Sequence, residues 1–123
     1  ICARLRLRLK DRAEIKKITE KFWQHKKLCQ ELTRPNAGCI FKNPEFASWP
    51  KTEQPLLSAG QMIDFCGLKG LSRGDAVISR IHANFILNDG NARARDVLEL
   101  MEIMKEKVKQ RFNLTLVPEI KIV

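Results

Sequence analysis

Ala37-Gly38-Cys39-Ile40-Phe41-Lys42-Asn43-Pro44 is the stretch on which the reading of this 123-residue chain turns. A glycine stands directly before a thiol, two apolar residues follow, and a lysine, an asparagine and a proline close the run. Glycine lets the backbone turn sharply or approach a ligand closely. Two readings follow from local chemistry. In one, the run is a strand with a turn at each end, and Cys39 is a small half-buried hydrophobe. In the other, Cys39 lies at a ligand-facing bend, and Lys42 and Asn43 reach an anionic or carbonyl group beside it.

Working outward, Pro35-Asn36-Ala37-Gly38 is a turn cluster. Before it, Asp11 followed by Glu14 fits an N-cap with an acidic residue at the third helical position. Ile15, Ile18 and Phe22 recur at helical spacing, which predicts a helix from Arg12 to about Lys27. Ahead of that helix, Ala3, Leu5, Leu7 and Leu9 alternate with Arg4, Arg6 and Arg8, the pattern of a half-buried strand. Its arginine face either keeps a sheet soluble or holds phosphates.

Downstream, Glu45 to Leu57 carries Pro50 and Pro55 around Phe46 and Trp49, and reads as an ordered loop because two large aromatics seek burial. Ser58 is the expected N-cap of a short helix through Cys66, closed by Gly67. Leu68 to Asp75 is glycine-rich and irregular; Ala76 to Ser79 and Phe85 to Leu87 read as short strands. After the turn Asn88-Asp89-Gly90-Asn91, with Asn91 as cap, Val97, Met101, Met104 and Val108 mark a long helix. Ala94, Leu98 and Phe112 widen its stripe, and Asn113 stops it. Leu114, Leu116, Ile120 and Ile122 then alternate with Val117, Glu119 and Lys121, predicting a last strand. Interleaved but few strands and helices give an α+β class: a small mixed or antiparallel sheet, two long helices and one short helix.

Bulk composition narrows the function classes. Hydrophobic residues are 44% and charged residues 30%, which suits one globular domain spanning residues 1–123 rather than disorder. No apolar run is long enough to span a bilayer, and no signal segment opens the chain, so a soluble cytoplasmic protein is expected. The first residue is Ile1 and the last strand-like run stops at Val123, as if a domain had been taken from a longer protein. Cys2, Cys29, Cys39 and Cys66 form no C-x-x-C pair and match no zinc spacing, so reduced thiols and no metal are expected. The net charge of +9 suits polyanions or nucleotide diphosphates, which keeps a small basic nucleic-acid-binding module open as the rival class. Against it, Tyr is absent, aromatics are 7%, and no stacking or helix-turn-helix signature is present.

Asn36 to Pro44 is followed, in order, by Ser58-Ala59-Gly60-Gln61-Met62-Ile63, by Gly67-Leu68-Lys69-Gly70 with Gly74-Asp75-Ala76-Val77-Ile78-Ser79, and by His82-Ala83-Asn84-Phe85-Ile86. With a long helix and the ending Pro118-Glu119-Ile120-Lys121-Ile122, this set resembles the C-terminal domain of the UDP-N-acetylenolpyruvoylglucosamine reductase family. The resemblance covers nearly the whole chain. It implies a bacterial cytoplasmic flavoenzyme of peptidoglycan synthesis, in which this domain closes over the sugar nucleotide and FAD lies in two preceding domains. NADPH reduces the flavin, the flavin gives a hydride to the enolpyruvyl double bond, and a side chain protonates the neighbouring carbon.

In the family that donor is usually a serine; here the position holds Cys39. A thiol, with a free pKa of about 8.5, is a better acid than an alcohol and suits general acid catalysis. The resemblance implies a catalytic role for Glu119, substrate contacts at Gly38 and Asn43, and site-lining roles for His82 and Asn84. Lys121 stands where the family often has arginine, keeping the charge but losing the planar fork. Lys42, Lys69 and Arg73 are candidates for the diphosphate. Read without the resemblance, Glu119 is more often an exposed strand glutamate paired to a neighbouring base, and His82 more often a structural histidine. The connection from Glu45 to Leu57 is longer than the family's usual one. The flavin-binding part has no counterpart here, so this domain alone is not expected to catalyse the reduction.

Overall fold

Methionines and leucines at helical spacing organise the core. The computed structural model describes residues 2–45 and 56–122, and the helix expected after the Asn88–Asn91 turn runs over Ala94–Phe112. In chain order the helices are α1 (Arg12–Cys29), α2 (Ala59–Phe65) and α3 (Ala94–Phe112). The strands are β1 (Asn36–Cys39), β2 (Ser72–Arg73), β3 (Ala76–Ile78) and β4 (Phe85–Asn88). Helix α3 buries Leu100, Met101, Met104 and Val108. Leu100 takes the place expected for Leu98, which is exposed. At about 100° per residue, Leu100 falls about 40° from Met104 on the buried stripe while Leu98 is turned about 120° from Met104. The helix ends at Asn113 in the left-handed region, φ 52°, a conformation asparagine tolerates better than most residues.

The start of α3 differs from expectation. Asn91 is not its cap; the N-cap position is Arg93, whose backbone N–H donates to the Asp96 carboxylate at 2.9 Å. Asn91 instead donates its N–H to the Asp75 carboxylate at 2.8 Å. The turn is organised one step earlier, where the Asn88 side-chain oxygen accepts from the Gly90 and Ala92 N–H groups.

The strands form one antiparallel sheet in the order β1-β4-β3-β2. Strand β2 lies inside the segment read as irregular, and β1 begins at Asn36, inside the expected turn cluster. Both readings yield to a glycine. Asn36 is opposite Leu87 and Cys39 opposite Phe85, so β1 carries one extra residue, a bulge. Gly38, at φ +81°, supplies the backbone that bulge needs. Gly74, at φ +50°, closes the β2–β3 turn so tightly on α3 that a β-carbon there would meet the Asp96 carboxylate at 2.7 Å.

Helix α2 begins as expected: Ser58 accepts from the Gln61 N–H, Gln61 returns a side-chain oxygen to the Ser58 N–H, and Gly67 follows the C-cap at φ +71°. With α3 it contributes to a core that joins Met62, Ile63, Ile78 and Met104 to Ile40 and Phe41. The domain is therefore α+β, with two long helices and one short one.

Two predicted strands are absent. Residues 2–10 carry no strand, and Leu5, Leu7 and Leu9 stand 79%, 82% and 105% exposed. Alternation makes a strand only beside a hydrogen-bonding neighbour, and the four-stranded sheet does not take this segment in. Helix α1 forms over the expected residues, capped by Asp11 at 2.9 and 3.1 Å, yet buries nothing. At the other end, residues 114–122 make a single bridge, Phe41 to Pro118, rather than a strand. Leu114 and Leu116 are buried as the alternation required, while Ile122 is exposed. The loop 46–55, read as ordered, lies outside the described residues.

Candidate active site

The β1 bulge and the chain's last segment meet at one seam. Past Cys39 the backbone leaves β4 and pairs on its other side: the Glu119 N–H donates to the Ile40 carbonyl at 2.8 Å, and the Lys42 N–H to the Val117 carbonyl at 2.9 Å. This short ladder brings Glu119 from the end of the chain to the residue after Cys39. Cys39 is half-buried and Glu119 exposed. Burial pushes the Cys39 thiol above its ordinary pKa, and the Glu119 carboxylate pushes it further in the same direction. The arrangement holds a neutral thiol, a proton source, beside a carboxylate. Lys121, two residues on, is exposed at the end of the same segment.

Lys42 and Asn43 line a cleft of about 320 Å³ whose opposite wall is Leu114, Thr115, Leu116 and Val117, within the size range of small-molecule pockets. The Asn43 side-chain oxygen accepts from the Ala59 N–H at 3.0 Å. It thereby satisfies one of the orphan donors at the start of α2 and leaves contact with a ligand to the amide NH₂. Gly38 holds its N–H to the Asn36 side chain at 2.9 Å.

Asn84 adjoins the Cys39 seam, where its side chain favours the thiolate, and His82 lies one turn behind it. His82 lines a separate depression with Ser58, Gln61, Asp64 and Lys69. Its ring packs on Phe85 with centroids 4.6 Å apart, and Nδ1 accepts the Asn84 N–H at 3.2 Å. Burial lowers its pKa, and the nearby Lys69 lowers it further. Asn84 is only 2% exposed, and its amide is spent on the protein: Oδ1 accepts from the Phe41 N–H at 3.0 Å and Nδ2 donates to the Phe41 carbonyl at 2.8 Å. Sequence reading passed over Ser79, whose buried hydroxyl accepts from the Ile81 and His82 N–H groups at 3.1 and 3.2 Å. The Ser-x-x-His spacing, which permits such a turn, was the available signal.

The diphosphate candidates separate cleanly. Lys69 is paired with Asp64 at 2.6 Å and Arg73 with Glu99 at 2.5 Å. Arg73 also lies on the edge strand opposite Cys39, three strand spacings or about 14 Å away. Lys42 is the candidate that lines the cleft. All four cysteines are free thiols, and among the described residues no group of three His, Cys, Asp or Glu side chains converges as a metal site would require. Among the described residues no helix is long and apolar enough to cross a membrane.

Fold and seam define a small α+β domain carrying an acid–thiol pair next to a cleft. The family model of the UDP-N-acetylenolpyruvoylglucosamine reductase C-terminal domain matches residues 30–123. The chain belongs to this family. It is 44% identical over 126 residues to the UDP-N-acetylenolpyruvoylglucosamine reductase of Chloroherpeton thalassium, covering 100% of the chain but 39% of that relative. With the enzyme of Desulfosudis oleivorans it shares 49% identity over 88 residues, 72% of the chain and 25% of the relative. The crystal structure of the Thermus caldophilus reductase superposes with a TM-score of 0.68 at 42% identity, over 92% of this chain and 36% of that one. The chain thus spans less than two fifths of the length of the relatives it matches.

Proposed function

We propose that this chain is the substrate-binding and proton-donating part of an oxidoreductase that converts UDP-N-acetylglucosamine enolpyruvate to UDP-N-acetylmuramate for peptidoglycan synthesis. The observation that carries the reading is the bond from Glu119 N–H to the Ile40 carbonyl, which sets carboxylate and thiol together at one seam. Cys39, held neutral by burial and by Glu119, donates a proton to the substrate carbon. Glu119 orients or stabilises the carboxyl end of the intermediate as charge develops. Gly38 offers its backbone near the reacting group, Lys42 and Asn43 contact the nucleotide or sugar from the cleft, and Lys121 adds positive charge. His82 and Asn84 act from behind this surface.

FAD and NADPH enter this reading through the family. The helix N-termini offer a flavin diphosphate little: Asp11 and Asp96 put carboxylates at the starts of α1 and α3, where a diphosphate would otherwise bind. Ser58 and Asn43 occupy the first N–H groups of α2. We therefore place the flavin on the portion of the relatives' length that this chain does not span. That portion is the natural partner for the exposed face of Leu5, Leu7 and Leu9 and for Ile15, Phe22 and Trp23 of α1, all of which precede the matched domain at residue 30. In this reading the 123 residues alone bind but do not reduce. Nucleic acid and membrane are not partners in this reading, and the protein acts in the bacterial cytoplasm.

The test is Cys39→Ala in the full-length flavoprotein. Flavin reduction by NADPH is expected to stay within about twofold, while reoxidation by substrate slows by about 10²- to 10⁴-fold, the span of general acid catalysis. Unchanged reoxidation removes Cys39 from the mechanism.

A further inference from the structure

The Asn84 amide makes a contact more often made by backbone. Phe41 is 1% exposed, so its N–H and C=O must both be satisfied inside the protein. Strand β4 cannot do this, because the bulge carries β1 off its ladder at Cys39. The Ile40 N–H takes the last main-chain bond, to the Asn84 carbonyl at 2.9 Å. Beyond it, the Asn84 side chain stands in for the next strand residue, accepting from the Phe41 N–H and donating to the Phe41 carbonyl. Residues 43 positions apart are thereby held as a two-bond pair.

Asn84 is itself held firmly. Its N–H donates to His82 Nδ1, and Ser79 locks the turn that leads to it. On the far side of Ile40–Lys42, the Val117 carbonyl and the Glu119 N–H complete the ladder. The segment after Cys39 is therefore gripped between a side chain on one side and the last segment of the chain on the other.

We propose that Asn84 is the positioning residue for the thiol: by clamping both backbone groups of Phe41, it fixes where Cys39 stands relative to Glu119. This rests on the reading of Cys39 as proton donor, but the placement of the thiol can be tested apart from it. The Asn84 side chain also favours the Cys39 thiolate, opposing the effects of burial and of Glu119.

The experiment compares Asn84→Leu and Asn84→Asp with the full-length protein, following iodoacetamide alkylation of the Cys39 peptide by mass spectrometry across pH, and substrate-driven flavin reoxidation. Leucine keeps the branching at Cγ with somewhat more bulk and removes both bonds. The midpoint of the alkylation curve is expected to move to higher pH, and reoxidation to slow by about tenfold to a hundredfold, as for a reacting group displaced by a fraction of an ångström. Flavin reduction by NADPH is expected to be unchanged. Asn84→Asp keeps the shape and tests the same point if the leucine variant does not fold. Its carboxyl can donate to Phe41 only when protonated, so reoxidation should recover on acidification relative to the parent protein. A folded variant with the parent's alkylation midpoint and reoxidation rate overturns the proposal. If the parent protein shows no substrate-driven reoxidation, the reductase reading fails, and the alkylation midpoint still decides whether Asn84 sets the thiol.

Discussion

Two regions of this chain carry equally regular sequence patterns and fare differently. Residues 2–29 alternate and then repeat at helical spacing, yet α1 buries nothing and Leu5, Leu7 and Leu9 stand in the open. Residues 94–122 carry the same two kinds of pattern, and there α3 and Leu114 and Leu116 enter the core. The difference is the neighbour. Helix α3 lies against β2, β3 and α2, whereas the exposed faces of the first region have no such cover among the described residues. A periodic pattern reports a face that wants covering; it does not name the cover.

The sharpest way to break this comparison is by truncation in each region. Met104→Ala should cost about 2–5 kcal/mol, the range for a large core side chain, in denaturant unfolding of the 123-residue chain. Phe22→Ala on α1 should change that stability by less than about 0.5 kcal/mol, as for surface positions. A comparable loss from Phe22 would mean that α1 packs on the domain after all. The helix caps give a smaller contrast. Ser58→Ala should cost about 1 kcal/mol of global stability, because α2 is bound into the core. Asp11→Ala should lower helicity by circular dichroism and leave the unfolding midpoint in place.

Smallest is a pH effect at His82, which lies outside both regions, in the turn before β4. Burial lowers the His82 pKa below the ordinary histidine value of 6.5, so the unfolded chain takes up its proton first as pH falls. Stability linked to His82 is therefore intact above about pH 6.5 and is lost below it, down to the lowered folded value. Protonation also turns Nδ1 from acceptor to donor, against the Asn84 N–H that it now accepts. His82→Gln can still accept and does not titrate. It should flatten the fall in Tm between about pH 7 and pH 5, by less than the loss at Ser58. An unaltered slope would show that His82 does not contribute.

The same contrast explains what was legible in the sequence. Helix boundaries were plain wherever one residue closes them locally, as Asp11 and Ser58 do with their side chains and Asn113 with a left-handed backbone. Cap chemistry is short-range and can be read from neighbours in the chain. The Asn91 misreading came from a turn whose oxygen is supplied by Asn88 and whose amide is claimed by Asp75, a partner 16 residues away. In the candidate site, Cys39, Glu119, Lys42 and Asn43 are singled out by ordered motifs, and they fall along one seam and the cleft beside it. Asn84 is singled out by the same motifs, but they give no sign of its bonds to Phe41. No spacing rule ties residue 84 to the backbone of residue 41, because the link depends on where a bulge ends a strand ladder.

Asn43 has a consequence for observing the cleft. Its carbonyl oxygen holds the Ala59 N–H, so one amide group touches both the cleft and the first turn of α2. A molecule that draws on the Asn43 NH₂ polarises the whole amide and alters the field at that N–H. The Ala59 amide resonance is thus a built-in spectroscopic gauge of cleft occupancy, legible without any flavin signal.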